Sequence, residues 1–174
     1  MNLILYGFKR VGKTTYGKEL AKSLKWPFVD TDDLIEEAYQ KAGHPKLEIY
    51  EIHNQLKEEG FRSLEEEVVL NLNISNFIIS VGGGTVLSAV CQKHLKKIGT
   101  LVYLVRTKDQ TKRALSLGRI PSYLDQHDFE ASFEKMYQIR EPIYQKIADD
   151  SLDVSSLQQN EIIDKLLKIA HENS

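Results

Sequence analysis

The sequence has one cysteine, so it cannot form an internal disulfide. Together with five scattered histidines, Cys91 makes no metal cluster of recognisable spacing. Cys91 follows Val90 in an apolar stretch and reads as a small core residue rather than a nucleophile. A large excess of charge of either sign is missing too. A net charge of −2 gives no global attraction to nucleic acid or to an anionic membrane. No run approaches the ~20 apolar residues of a membrane span. The short apolar run at the start leads straight into a polar loop, unlike a secretory leader. Repeats, low-complexity tracts and interdomain linkers are also lacking. What remains is an ordinary globular mix, 41% hydrophobic and 28% charged over 174 residues. One soluble, cytoplasmic domain spanning residues 1–174 is expected, acting as a monomer on small molecules.

The stretch around which this chain is organised is Gly7-Phe8-Lys9-Arg10-Val11-Gly12-Lys13-Thr14-Thr15. It follows Leu3-Ile4-Leu5-Tyr6 and opens a helical pattern at Lys13. Strand, Gly-rich loop and helix in that order form a phosphate-binding loop. Its backbone N–H groups point into one concavity, and the helix N-terminus adds partial positive charge. Val11, Gly12, Lys13, Thr14 and Thr15 are therefore expected on ATP. Lys13 would reach the β- and γ-phosphates, and the Thr14 hydroxyl would join a Mg²⁺ shell.

Short apolar runs alternate with helical patterns, the rhythm of a parallel α/β sheet. Strands are expected at Leu3–Tyr6, Phe28–Val29, Phe77–Val81, Leu101–Val105 and Leu152–Val154. Helices are expected over Lys13–Leu24 and on Leu34, Ile35 and Ala38. Phe61, Leu64, Val68 and Leu72 mark another, and Thr107-Lys108-Asp109-Gln110 reads as a capping box that starts a short one. A long helix carries Phe129, Phe133, Met136/Tyr137, Ile143/Tyr144 and Ile147, and Pro142 should kink it. The C-terminal helix carries Ile162, Ile163, Leu166, Leu167 and Ala170. Residues 46–60 are charged and weakly periodic, and 118–127 read as a mobile loop. Segments 31–60 and 116–127 are least like core and so most suited to substrate-specific parts.

Asp30-Thr31-Asp32-Asp33 ends the second strand, on the sheet edge where open parallel sheets bind ligands. Alternation along an extended chain would aim Asp30 and Asp32 the same way. One can help hold Mg²⁺ through water and the other can accept a hydroxyl proton. The same residues also suit a helix start, with Thr31 or Asp32 as cap and Asp33 on the dipole. Gly82-Gly83-Gly84 after the third strand fits a close ligand approach or a tight turn. Many phosphate-loop enzymes place an acid near this strand end for Mg²⁺; here Ser80 stands there. Arg62 with Glu65 and Glu66 can be a solvated helix-face pair. Arg140 can serve carbonyls freed at Pro142, and Arg119 can be merely solvated.

As a set these residues resemble the shikimate kinase family nearly end to end. The likeness is carried by the phosphate loop, Asp30-Thr31-Asp32, Phe61-Arg62-Ser63-Leu64-Glu65, Gly82-Gly83-Gly84 and Arg140-Glu141-Pro142-Ile143-Tyr144. The resemblance implies a three-layer α/β/α P-loop kinase fold with a five-stranded parallel sheet. It also implies a substrate segment at about 31–62 and a lid at about 116–127. The implied reaction moves the γ-phosphate of ATP to the 3-hydroxyl of shikimate, in aromatic amino-acid biosynthesis. Carried over by position, Asp32 holds substrate hydroxyls and acts as base. Asp30 and Ser80 support Mg²⁺ with Thr14. Arg62 and Arg140 clamp the carboxylate, and Gly82, Gly83 and Gly84 meet the substrate. Arg119 is the lid arginine, touching ATP and assisting transfer. Two departures stand out: Ile120 interrupts the usual Arg-Pro of the lid, and the segment around Lys46–Glu59 is longer than expected. A gluconate or other small-metabolite kinase, and a nucleotide-binding regulatory module without chemistry, are the alternatives.

Overall fold

The computed structural model describes residues 1–173. Its five strands are β1 (Asn2–Tyr6), β2 (Phe28–Asp30), β3 (Ile78–Ser80), β4 (Gly99–Val105) and β5 (Asp150–Asp153). They form one parallel sheet in the order β2-β3-β1-β4-β5. Strand β1 lies at its centre, and every one of its residues is buried. Successive β1 side chains point to opposite faces. Ile4 and Tyr6 join one core, while Leu3 and Leu5 join the other.

The second of these cores is covered by α1 (Lys13–Leu24) and α7 (Gln159–Glu172), through Leu20, Ala21, Ile162, Ile163 and Leu166. The first is covered by α3 (Ile49–Leu70), α4 (Ala89–Ile98) and α6 (Phe129–Ile147), through Val69, Cys91, Leu95, Phe133 and Tyr144. The layering is α/β/α, as the expected fold class requires. Helix α2 (Thr31–Lys41) packs on α3 in a small separate cluster of Ile35, Tyr39, Ile52 and Phe61. Helix α5 (Lys108–Ser116) follows β4. Cys91 is fully buried, and burial pushes its thiol up to about 11, as suits an inert core residue.

Several sequence expectations need correction. Helix α3 begins at Ile49, inside the stretch that seemed aperiodic. Its backbone breaks at Lys57 (φ 58°, ψ −179°), which shifts the apolar phase between Ile52 and Phe61 and hides the period. Strand β5 begins two residues earlier than expected and ends one earlier. It is an edge strand on which only Leu152 is buried, so its polar residues disguise it. Helix α4, unread in the sequence, starts where the Ser88 hydroxyl accepts from Cys91 N–H at 3.3 Å. Only half of the expected capping box forms at α5. Thr107 accepts from Gln110 N–H at 3.3 Å, but the Gln110 amide donates to the Ser155 carbonyl instead. Helix α6 runs on through Pro142, which lies inside it as expected. Pro142 and Gln138 lie on its exposed face, where water can meet the carbonyl that proline leaves unbonded.

Candidate active site

The phosphate loop joins β1 to α1 at the carboxyl edge of the sheet. Gly7 (φ 146°) and Gly12 (φ 109°) hold backbone conformations that favour glycine. A cavity of about 430 Å³ opens over the loop and over the ends of β2 and β3. Gly12, Lys13, Thr14, Thr15, Asp30, Asp32, Arg62, Ser80, Gly82, Gly83, Gly84 and Arg140 all line it. Segments far apart in sequence thus share one space. Val11 does not line it; its side chain is buried in the α1–α7 core.

The Lys13 ammonium donates to the carbonyls of Gly7 (3.2 Å) and Phe8 (3.1 Å). Enclosure by the loop lowers its pKa to about 8, against the pull of Asp32 and Asp30. Asp32 shows the opposite effect. Desolvation raises its carboxyl from 3.8 to about 6; Asp30 adds to this and Lys13 opposes it. Asp30, rather than Thr31 or Asp32, is the N-cap of α2, and its Oδ1 accepts from Asp32 N–H at 3.2 Å. Strand alternation therefore does not aim the two acids together. The helix starts at Thr31 and carries Asp32 into the cavity on its first turn. The other oxygen of Asp30 accepts from the Thr14 hydroxyl at 2.8 Å. Ser80 lies opposite Asp30 in the β2–β3 register, and both are buried.

The arginines separate by environment. Arg62 donates to Glu58 at 2.8 Å and to Glu65 at 2.6 Å. This is not a solvated helix-face pair, because Glu65 is buried and also accepts from the Thr85 hydroxyl at 2.7 Å. Arg140 is 7% exposed and sits over the Tyr123 ring at 4.3 Å. No carboxylate pairs with it among the described residues. One turn further on, Tyr144 fixes this part of α6 by donating to the Gly83 carbonyl at 2.6 Å. Its own carbonyl accepts from the Tyr6 hydroxyl at 2.6 Å.

Family comparisons agree with this geometry. The family model described as Shikimate kinase matches residues 10–171. The chain belongs to the shikimate kinase family. A shikimate kinase of Caldanaerobacter subterraneus is 34% identical over 168 residues, covering 96% of this chain and 94% of that protein. One of Legionella pneumophila strain Corby is 34% identical over 176 residues, covering 96% and 93%. In structure, the chain is similar to the Acinetobacter baumannii shikimate kinase in complex with shikimate. The TM-score is 0.84 at 26% identity, with 98% of this chain and 93% of that one covered.

Against this family background, the triple glycine has a physical reason. Gly84 has an ordinary φ of −75°, so turn geometry does not demand glycine there. A Cβ at that position would lie 2.2 Å from Arg62 Nη1. At Gly83 it would lie 2.7 Å from the Tyr144 hydroxyl. The close approach is to Arg62, which lines the cavity, and to Tyr144 behind it. Gly84→Ala should therefore push Arg62 aside. The expected result is a shikimate KM at least ~10-fold higher from misplacement of a binding group, with ATP KM little changed. Steady-state kinetics in both substrates checks it, and unaltered shikimate KM would count against the packing argument.

Arg119, like Val11, is an expected site residue that does not line the cavity. It is exposed, stacks on the Tyr50 ring at 4.6 Å and lies 4.0 Å from Glu48. Residues 118–127 lack regular structure; Pro121 and Leu124 are buried and Tyr123 lies in the cavity wall, while 118–119 and 125–127 are exposed. Sequence reasoning passed over Tyr50, His53 and Tyr123 in that wall. They lie in aperiodic segments and carry no motif. Glu65 was passed over too; the signal that could have found it is its place on the stripe Phe61-Glu65-Val69, whose other members are apolar.

Proposed function

We propose that this chain transfers the γ-phosphate of ATP to the 3-hydroxyl of shikimate, giving shikimate 3-phosphate. One observation carries the reading to the acceptor. Arg140 is a buried guanidinium without an acidic partner among the described residues, and it lines the same cavity as a phosphate loop. A buried charge in that state calls for an anion, and a planar fork suits a carboxylate. Arg62, already held by Glu58 and Glu65, is the second prong. Residues 31–62 then act as the substrate segment and 116–127 as the lid, within a single domain.

Lys13 and the loop N–H groups hold the phosphates, leaving the γ-phosphorus toward Asp32. The Asp32 carboxylate accepts the proton as the shikimate oxygen bonds to phosphorus and the bond to the ADP oxygen breaks. A carboxyl raised to about 6 is a better base than an ordinary aspartate and is still ionised at neutral pH. Thr14, Asp30 and Ser80 are the residues that would hold Mg²⁺. The contact between Thr14 and Asp30 already brings two hard oxygens together. An all-oxygen set this small suits an ion that keeps waters and phosphate oxygens as its other ligands. Mg²⁺, when bound, offsets charge on the phosphates.

Arg119 is the lid arginine in this reading, leaving Tyr50 to meet the phosphates when ATP binds. Arg119→Ala should lower kcat by roughly 10²–10³-fold, the scale of removing one transition-state donor, with smaller changes in either KM. Unchanged kcat would place the transferring-phosphate contact elsewhere. The activity itself is tested by ADP release with shikimate, gluconate, quinate and nucleoside monophosphates as acceptors. Turnover with shikimate alone is expected. Preference for gluconate would favour another small-metabolite kinase, and ATP binding without any turnover would favour a regulatory module.

A further inference from the structure

Arg10 stands in the middle of the phosphate loop with its backbone in the left-handed region, φ 66°. Glycine adopts that conformation more readily than any residue with a Cβ. The arginine side chain has a use that glycine could not supply. Its Nη1 donates to the carbonyls of Ala114 (2.8 Å), Leu115 (3.3 Å) and Leu117, and its Nη2 donates to the carbonyl of Arg119 (2.9 Å). Ala114 and Leu115 lie in the last turn of α5, where carbonyls lack helical partners. The C-cap, Leu117, is extended (φ −80°, ψ 128°), and a cation near a helix C-terminus is favoured by its dipole. Leu117 and Arg119 begin the segment assigned above as the lid. Behind the loop, the Arg10 carbonyl accepts from Arg106 Nη1 at 3.1 Å, just past the end of β4.

We propose that Arg10 is a positioning residue that fastens the root of the lid to the phosphate loop, making phosphate capture and lid seating one coupled event. This rests on the reading of residues 116–127 as the lid. The geometry gives the coupling a route. Arg10 carries both a backbone that shapes the phosphate cradle and a guanidinium that four carbonyls of residues 114–119 surround. Phosphate that orders the loop backbone also sets where the guanidinium points. Beyond these carbonyls the lid is held by other contacts: the Arg119 side chain stacks on Tyr50, and Ser122 meets His53 at 3.0 Å. The root contact is therefore what ties the lid to the nucleotide side of the site.

The test uses the full chain with Arg10→Gly, Arg10→Ala and Arg10→Lys. Glycine suits φ 66°, so Arg10→Gly should fold and keep the loop shape. Chymotrypsin cleavage after Leu117 and Tyr123 reads lid seating, with and without a non-hydrolysable ATP analogue. In the native chain the analogue should slow cleavage. In the glycine and alanine variants that protection should be lost, and kcat with shikimate should fall by about tenfold, as for misplacement of groups that are held in position rather than removed. The analogue Kd should stay within about threefold, because the phosphate ligands themselves are intact. Arg10→Lys should recover part of the protection, since an ammonium can still meet helix C-terminal carbonyls. Full protection and unchanged kcat in Arg10→Gly would overturn the proposal. So would a Kd raised by more than about tenfold with protection intact, which would make Arg10 a phosphate ligand. The protection measurement involves no acceptor. Its failure is thereby separable from failure of the proposed activity, which would show as a native chain without shikimate turnover.

Discussion

Asp32→Asn is expected to lower kcat with shikimate by roughly 10²–10⁴-fold, the usual worth of a positioned base, while ATP binds much as before. The asparagine amide keeps the size of the carboxylate but cannot accept the hydroxyl proton. The same change should stabilise the fold, and the sign follows from Asp32 titration. Its carboxyl rises from 3.8 to about 6 on folding, so the folded state holds the proton more tightly. The stability it contributes is complete below about pH 4 and is lost as pH climbs through about 6. Above that the ionised carboxylate carries a penalty of at most ~3 kcal/mol, at 1.4 kcal/mol per pKa unit. A neutral asparagine side chain avoids it. The variant's gain in Tm over the native chain should accordingly be larger at pH 7.5 than at pH 4, read by thermal denaturation at the two pH values. The native kcat/KM should rise through about pH 6 as Asp32 ionises and fall above about pH 8 as the free enzyme's Lys13 loses its charge. Near-native turnover in Asp32→Asn would remove Asp32 as the base.

Arg140→Ala is expected to raise the shikimate KM by roughly 30- to 1,000-fold, about 2–4 kcal/mol for truncating one partner of a buried charge pair. The ATP KM should change little. Arg62→Ala should do less, because Arg62 already shares its charge with Glu58 and Glu65. The ordering matters more than either size, since a solvated or merely structural Arg140 predicts no such order. Arg140→Lys should not restore affinity, because an ammonium cannot form the planar two-point contact a carboxylate accepts. Removing Arg140 also removes a buried cation that has no acidic partner among the described residues, so folding should survive the loss of its stacking on Tyr123, which circular dichroism checks. A shikimate KM within about threefold of native in Arg140→Ala would move the carboxylate site elsewhere.

Much of this site was legible because the residues that make it carry local signatures. The phosphate loop needs glycine at fixed places, and β1 and β4 read clearly as apolar runs buried on both faces. Other parts were hidden for physical reasons. The charge on Arg140 masks its place on the α6 stripe Phe133-Met136-Arg140-Tyr144-Ile147, all of which are buried. The stripe, read without regard to charge, would have shown a buried arginine. Glu65 was masked in the same way on α3. The kink at Lys57 broke the period that would have revealed the first half of α3, and with it Tyr50 and His53 in the cavity wall. The triple glycine was ambiguous between a turn and a close approach, and only the positions of Arg62 and Tyr144 decide between them. The contacts of Arg10 with residues 114–119 are tertiary, joining residues more than 100 positions apart in sequence, and no local pattern announces them.

The most direct test of a site that selects a small carboxylate-bearing polyol is to compare shikimate with its methyl ester as phosphate acceptor. The ester keeps every hydroxyl and removes the negative charge, at the cost of one added methyl group. Native enzyme should prefer shikimate in kcat/KM by at least ~30-fold, and Arg140→Ala should lose most of that preference. Equal kcat/KM for the two acceptors in the native enzyme would contradict it.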